Sequence, residues 1–158
     1  MKHQKKKSPT SSSLAKNRKA LHDFEILDKF EAGIVLNGDE VKSIKAGQIN
    51  LKGSFVETIK DEVFLKQTHV SPYKHSSRQI LDPLRRRKLI LHRREIDRII
   101  GTMNEKGVAV FPLEIYLKKG LVKVQIAIGR GKKFYDKRAT IKKREQELDI
   151  KRALKKYR

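Results

Sequence analysis

Apolar residues in the middle of the chain recur mostly at every second position, the spacing of half-buried strands, and less often at helical spacing. From His22 to Leu36, the residues Phe24, Ile26, Phe30, Ile34 and Leu36 share one parity and predict a long strand, with Ala32-Gly33 predicting a bend or bulge. Asn37-Gly38 ends it. Asp39 to Lys45 reads as a short helix, with acids in its first turn, lysine in its last and Gly47 beyond. Ser54–Ile59 and Val63–Val70 predict a hairpin turning at Lys60-Asp61-Glu62. Asp82-Pro83 reads as a helix start, Asp as cap and Pro in the first turn, for a stretch reaching about Asn104 with a break near His92. Ile96, Ile99, Ile100 and Met103 carry the helical spacing there. Alternation then returns at Ala109–Lys118 and Val122–Ile128, a two-stranded meander in which Pro112 belongs at an edge or bulge.

Strand, small helix, strand, strand, helix, strand, strand is the order of a small Greek-key barrel of the OB type. The expected fold class is mainly β with flanking helices, an OB-type barrel between basic tails. Its domain plan has a disordered arm at 1–13, the OB-like RNA-binding domain at 14–130 and a basic tail at 131–158, disordered when free and helical in an RNA-walled site. Only the two ends change that picture electrostatically. Residues 1–20 carry a net +7 and residues 130–158 a net +9, against +21 for the whole chain. Two cationic arms on a nearly balanced body suit a polyanion held from several sides, and RNA is the expected one. The arms lack the apolar face of a membrane-surface helix, and no secretory leader or spanning stretch is visible, so a cytoplasmic monomer without membrane contact is expected.

Chemistry is sparse. There is no cysteine, and His3, His22, His69, His75 and His92 show no zinc spacing, so neither metal nor cofactor is expected. Gly129-Arg130-Gly131-Lys132 lacks the spacing and the hydroxyl residue of a phosphate-binding loop. Asp39-Glu40 and Asp61-Glu62 sit at a helix start and a turn. The expectation is a binder without catalytic residues. Glu31 lies between Phe30 and Ala32 in a strand; it is either a solvent-facing alternate position or a hydrogen-bonding group for RNA edges.

The tail has its own pattern. Lys132-Lys133-Phe134-Tyr135-Asp136-Lys137-Arg138 interleaves aromatics with cations, so an aromatic either stacks on a base or packs on the body. Farther on, Ile150, Ala153, Leu154 and Tyr157 form one thin stripe, too little to hold a helix alone in water.

Several blocks in order resemble the SmpB family, the SsrA-binding proteins of bacterial trans-translation. They are Asn17-Arg18-Lys19-Ala20 with His22, Phe30–Ile34, Gly38–Lys45, Asp82-Pro83 with Arg87–Leu91, Arg94-Glu95-Ile96, and Gly131–Arg138. Ile44-Lys45 stands where Leu-Arg is usual, a conservative departure. The resemblance implies a protein that binds the tRNA-like domain of transfer-messenger RNA (tmRNA), supports its alanylation and delivers it to stalled ribosomes. It implies tmRNA contact by Asn17, Arg18, Lys19, His22, Glu31, Ile90 and Lys123. It sends Gly131, Lys132, Lys133, Tyr135, Asp136, Lys137 and Arg138 to the ribosomal decoding centre and mRNA channel, among small-subunit rRNA. The alternative is a ribosomal or ribosome-assembly protein that binds rRNA constitutively.

Overall fold

The computed structural model describes residues 12–76 and 82–156. Most of the expected disordered arm, residues 1–11, lies outside them. Ser12 and Ser13 do not: β1 (Ser12–Lys16) pairs antiparallel with β8 (Val108–Lys118). A helical turn follows, α1 (Arg18–Asp23). The long strand is β2 (Phe24–Ile34). Its irregularity falls between Ile26 and Asp28, leaving Leu27 exposed; Ala32 and Gly33 stay in register, which corrects the expected bend. Gly33 serves a close approach instead, since a Cβ there would stand 3.3 Å from the Ile90 Cβ.

Next comes α2 (Gly38–Lys45), one residue longer than expected and boxed at its start by Asn37 and Glu40, and a two-residue strand β3 (Ile49–Asn50) that pairs with β6 (His69–Val70). Between them β4 (Phe55–Ile59) and β5 (Glu62–Lys66) form the expected hairpin. Its turn is the pair Lys60-Asp61, both at positive φ, the geometry whose twist matches the flanking strands.

The segment after Asp82-Pro83 departs from expectation. It turns once and becomes β7 (Arg87–Ile90), and α3 (Arg93–Met103) starts only beyond His92. The first half of the expected helix is thus a strand. Arg87 explains why. It is 1% exposed, donates to the carbonyls of Thr68 at 2.8 Å and Pro83 at 3.1 Å, and donates from Nε to Glu40 at 3.0 Å. Arg85 donates to the same carboxylate at 2.8 Å, and Glu40 accepts the Asn37 N–H at 3.0 Å. Glu40 therefore joins the start of α2 to the strand. Burial alone would raise its pKa, but Arg85, the Asn37 N–H and Arg87 reverse that and lower it.

β8 and β9 (Leu121–Gly131) make the expected meander, with the ladder shifting between Pro112 and Glu114, the bulge that Pro112 predicts. The large sheet runs β1-β8-β9-β2-β7-β5-β4, seven antiparallel strands rather than five. The mainly β class with flanking helices holds. Full closure does not: β4 curls against β8, yet among the described residues no ladder joins the edge strands β1 and β4. Inside the curl lies the main core of Ile44, Val63, Leu65, Leu89, Ile99, Ile115, Val124 and Ile126. Finally α4 (Phe134–Lys156) leaves the body as one helix, about 34 Å long at 1.5 Å per residue. Every side chain from Ile141 to Lys156 is exposed.

Candidate nucleic-acid interface

The residues singled out from the sequence fall into two separate patches. Glu31, Ile90 and Lys123 meet around Gly33, which pairs with Ile90 on one side and Lys123 on the other. Asn17, Arg18, Lys19 and His22 lie instead on α1 and its cap. α1 ends at the start of β2, and Phe24 and Glu31 are seven positions apart along that strand, which sets the patches up to about 23 Å apart at 3.3 Å per residue.

In the first patch Glu31 is a positioned acceptor. The Tyr116 hydroxyl donates to it at 2.5 Å and the Lys118 ammonium at 3.0 Å. The Tyr116 bond, then the Lys118 bond, hold its pKa below the usual carboxylate range, with Lys118 and Lys123 adding their charge. Burial, and then the Glu31 carboxylate, push the Tyr116 hydroxyl above its ordinary value, so it stays a donor. Glu31 stays charged and partly exposed, with lone pairs for further donors such as a base amino group or a ribose hydroxyl. Ile90, 59% exposed beside it, offers an apolar surface, and Lys123 a cation. Tyr116 and Lys118 are the site residues that sequence reasoning missed. Tyr116 sits in the alternating run of β8, but nothing local links it to Glu31.

In the second patch Asn17 does not face outward. It is 5% exposed, donates to the Pro112 carbonyl at 3.0 Å, accepts the Ala20 N–H at 3.1 Å, and donates its own N–H to Leu113 at 2.7 Å. Its work is to cap α1 and fasten it to β8, which positions the exposed Arg18 and Lys19. The His22 ring meets the Asp23 carboxylate at 2.9 Å, and Lys137 of α4 approaches that carboxylate at 3.6 Å. The His22 hydrogen bond is the main reason the Asp23 pKa is lowered. Lys132 donates its backbone N–H to the Asp23 carbonyl at 2.9 Å. The root of the tail therefore sits on α1, beside His22 and distant from Glu31. Gly131, Lys133 and Arg138 are exposed there; the side chains of Tyr135 and Asp136 lie outside the described residues.

Among the described residues no group of three or more His, Cys, Asp or Glu is placed to hold a metal ion. No helix there is long and apolar enough to cross a membrane.

Residues 14–156 match the family described as SmpB protein. The SsrA-binding protein of Chloroflexus aggregans is 54% identical over 143 residues, covering 90% of each chain. That of Geobacillus sp. strain WCH70 is 52% identical over 140 residues, 89% of this chain and 90% of the relative. A solved structure described as "tmRNA-SmpB: a journey to the center of the bacterial ribosome" superposes with a TM-score of 0.65 at 43% identity, over 76% of this chain and 85% of that one. With its two cationic patches and open β-body, this chain belongs to the SmpB protein family.

Proposed function

We propose that this protein binds the tRNA-like domain of tmRNA, supports its alanylation and carries it to stalled ribosomes, where it rescues them by trans-translation. Family membership carries the reading. The split of the binding residues refines it: one particle that must touch two RNAs has two patches, held apart by the length of β2. Glu31, Ile90 and Lys123 serve the tmRNA. The α1 patch, with Arg18, Lys19 and His22, shares its place with Lys132 and Lys137, so it goes with the tail toward the decoding centre and mRNA channel. The family likeness gives these α1 residues to the tmRNA; their place beside the root of the tail is what supports the second RNA instead. Asn17 acts by positioning.

The tail takes its shape from its RNA surroundings. Beyond Thr140 nothing in α4 packs on the body, and a polar helix without packing is marginal in water. Its role is binding in the cytoplasm, without catalysis, a cofactor or a membrane partner. RNA recovered with the protein from cells tests the reading. One tmRNA species enriched over bulk rRNA is expected; ribosomal RNA alone, without tmRNA, would favour the constitutive rRNA binder.

A further inference from the structure

The place where the large sheet fails to close is lined for a ligand. Along the outer edge of β1 runs an open groove of about 570 Å³, walled by Lys16, Arg18, Lys19 and Lys52, with no carboxylate among its lining residues. All four cations are exposed. Past Lys19, the groove continues into a smaller cleft of about 270 Å³ between α1, β8 and the start of β4. Asn17 and Lys19 border both. This second space is apolar in character, lined by Phe24, Phe111 and Phe55, the last 40% exposed at the edge of the sheet. Its carboxylate, Asp23, is already matched by His22 and Lys137. Among the described residues, no strand pairs with the outer edge of β1 or of β4.

A cationic trough opening onto an aromatic-walled slot matches a nucleotide, anionic at its phosphate and flat and apolar at its base. A folded duplex presents only its backbone to such a feature; a single strand can present both. We propose that the open seam between β1 and β4 binds a single-stranded RNA segment, its phosphodiesters along Lys16, Arg18, Lys19 and Lys52 and one unstacked base against Phe55. The proposal rests on the RNA-binding reading above and extends the α1 patch across the seam, away from the Glu31 patch, with Lys52 and Phe55 as residues of its own. Charge decides against a peptide added to the β1 edge: four cations around a groove whose lining holds no carboxylate favour a regular row of phosphates over a polypeptide backbone.

The test uses full-length protein and a fluorescein-labelled oligouridylate of about eight nucleotides, within the span of one such fold. Lys52→Glu is expected to weaken binding about tenfold and to lower the salt slope by ~0.7 for each phosphate that is no longer neutralised. Phe55→Ala is expected to weaken it about tenfold with the slope unchanged, as removal of a stacking surface requires. A 4-thiouridine version of the oligonucleotide should crosslink to the segments containing Arg18 or Phe55. Both side chains are exposed, and an unchanged urea midpoint confirms that each variant folds. Binding that neither variant alters, or crosslinks confined to the Glu31 patch, would overturn the proposal while intact tmRNA affinity leaves the broader reading standing. An oligoglutamate peptide that binds the seam more tightly than the oligouridylate would overturn it in favour of a protein partner. A chain that binds neither RNA would sink both.

Discussion

The Tyr116 hydroxyl reaches across β9 to donate to the Glu31 carboxylate at 2.5 Å, joining two residues 85 positions apart on strands that do not pair. Glu31 is thereby held in one orientation by Tyr116 and Lys118. Tyr116→Phe should keep the fold, since the ring stays buried, and weaken tmRNA binding about fivefold, the ~1 kcal/mol of one hydrogen bond. It also has a pH signature. Because the folded pKa of Glu31 is lowered, its contribution to stability is present above the ordinary glutamate range and is lost as pH falls through the folded value. Without Tyr116 the folded pKa should move up toward the ordinary glutamate range, as carboxyl NMR titration would record, and the stability linked to it should shrink.

Glu31→Arg isolates recognition from electrostatics. The change raises the net charge of an already cationic patch, so a purely electrostatic interface would bind RNA more tightly. Recognition through the carboxylate predicts about tenfold weaker tmRNA binding in a filter or fluorescence titration. Unchanged or tighter binding would remove Glu31 from the interface.

Glu40→Ala tests the buried charge cluster. Removing the acid leaves the Arg87 guanidinium enclosed without its counterion, a loss of about 3 kcal/mol on the scale of broken buried pairs. The urea midpoint should drop accordingly, with tmRNA affinity of the folded protein little changed. In the parent protein the lowered pKa means that this stabilisation is complete above the ordinary glutamate range and fades as pH falls through the folded value.

Much of the body was legible in its alternating residues. β8 and β9 read as strands from their alternation, although both faces are covered in their middle: Val110, Ile115, Val124 and Ile126 join the main core and Phe111, Leu113 and Ala127 a second cluster, and Pro112 announces its own bulge. β7 was not legible: only Arg87 and Leu89 point inward, and a buried arginine breaks the hydrophobic signal that period counting needs. Asp82-Pro83 then imitates a helix start. β1 is short and rich in serine and lysine, and its pairing with β8 is a long-range fact that no local pattern carries. The site divides in the same way. Candidate residues came from composition and family likeness, but the Tyr116 partner of Glu31 and the inward turn of Asn17 arise only when β8 meets β2 and α1 in space.

A peptide of residues 130–158 should show little helicity by circular dichroism in buffer. It should gain it with small-subunit rRNA, because its exposed stripe of Ile150 and Leu154 has nothing to pack on when alone. Strong helicity without RNA would mean that the helix is preformed and that RNA merely orients it.

In the function proposed above, the body holds one RNA while the tail works on another. Truncation before Gly131 tests it most directly, with tmRNA affinity and peptide tagging on stalled ribosomes measured on the same preparation. Affinity within about twofold of the parent is expected, because Glu31, Ile90 and Lys123 are untouched, together with loss of tagging. Affinity that falls in step with tagging would contradict it and make the tail part of a single, continuous RNA grip.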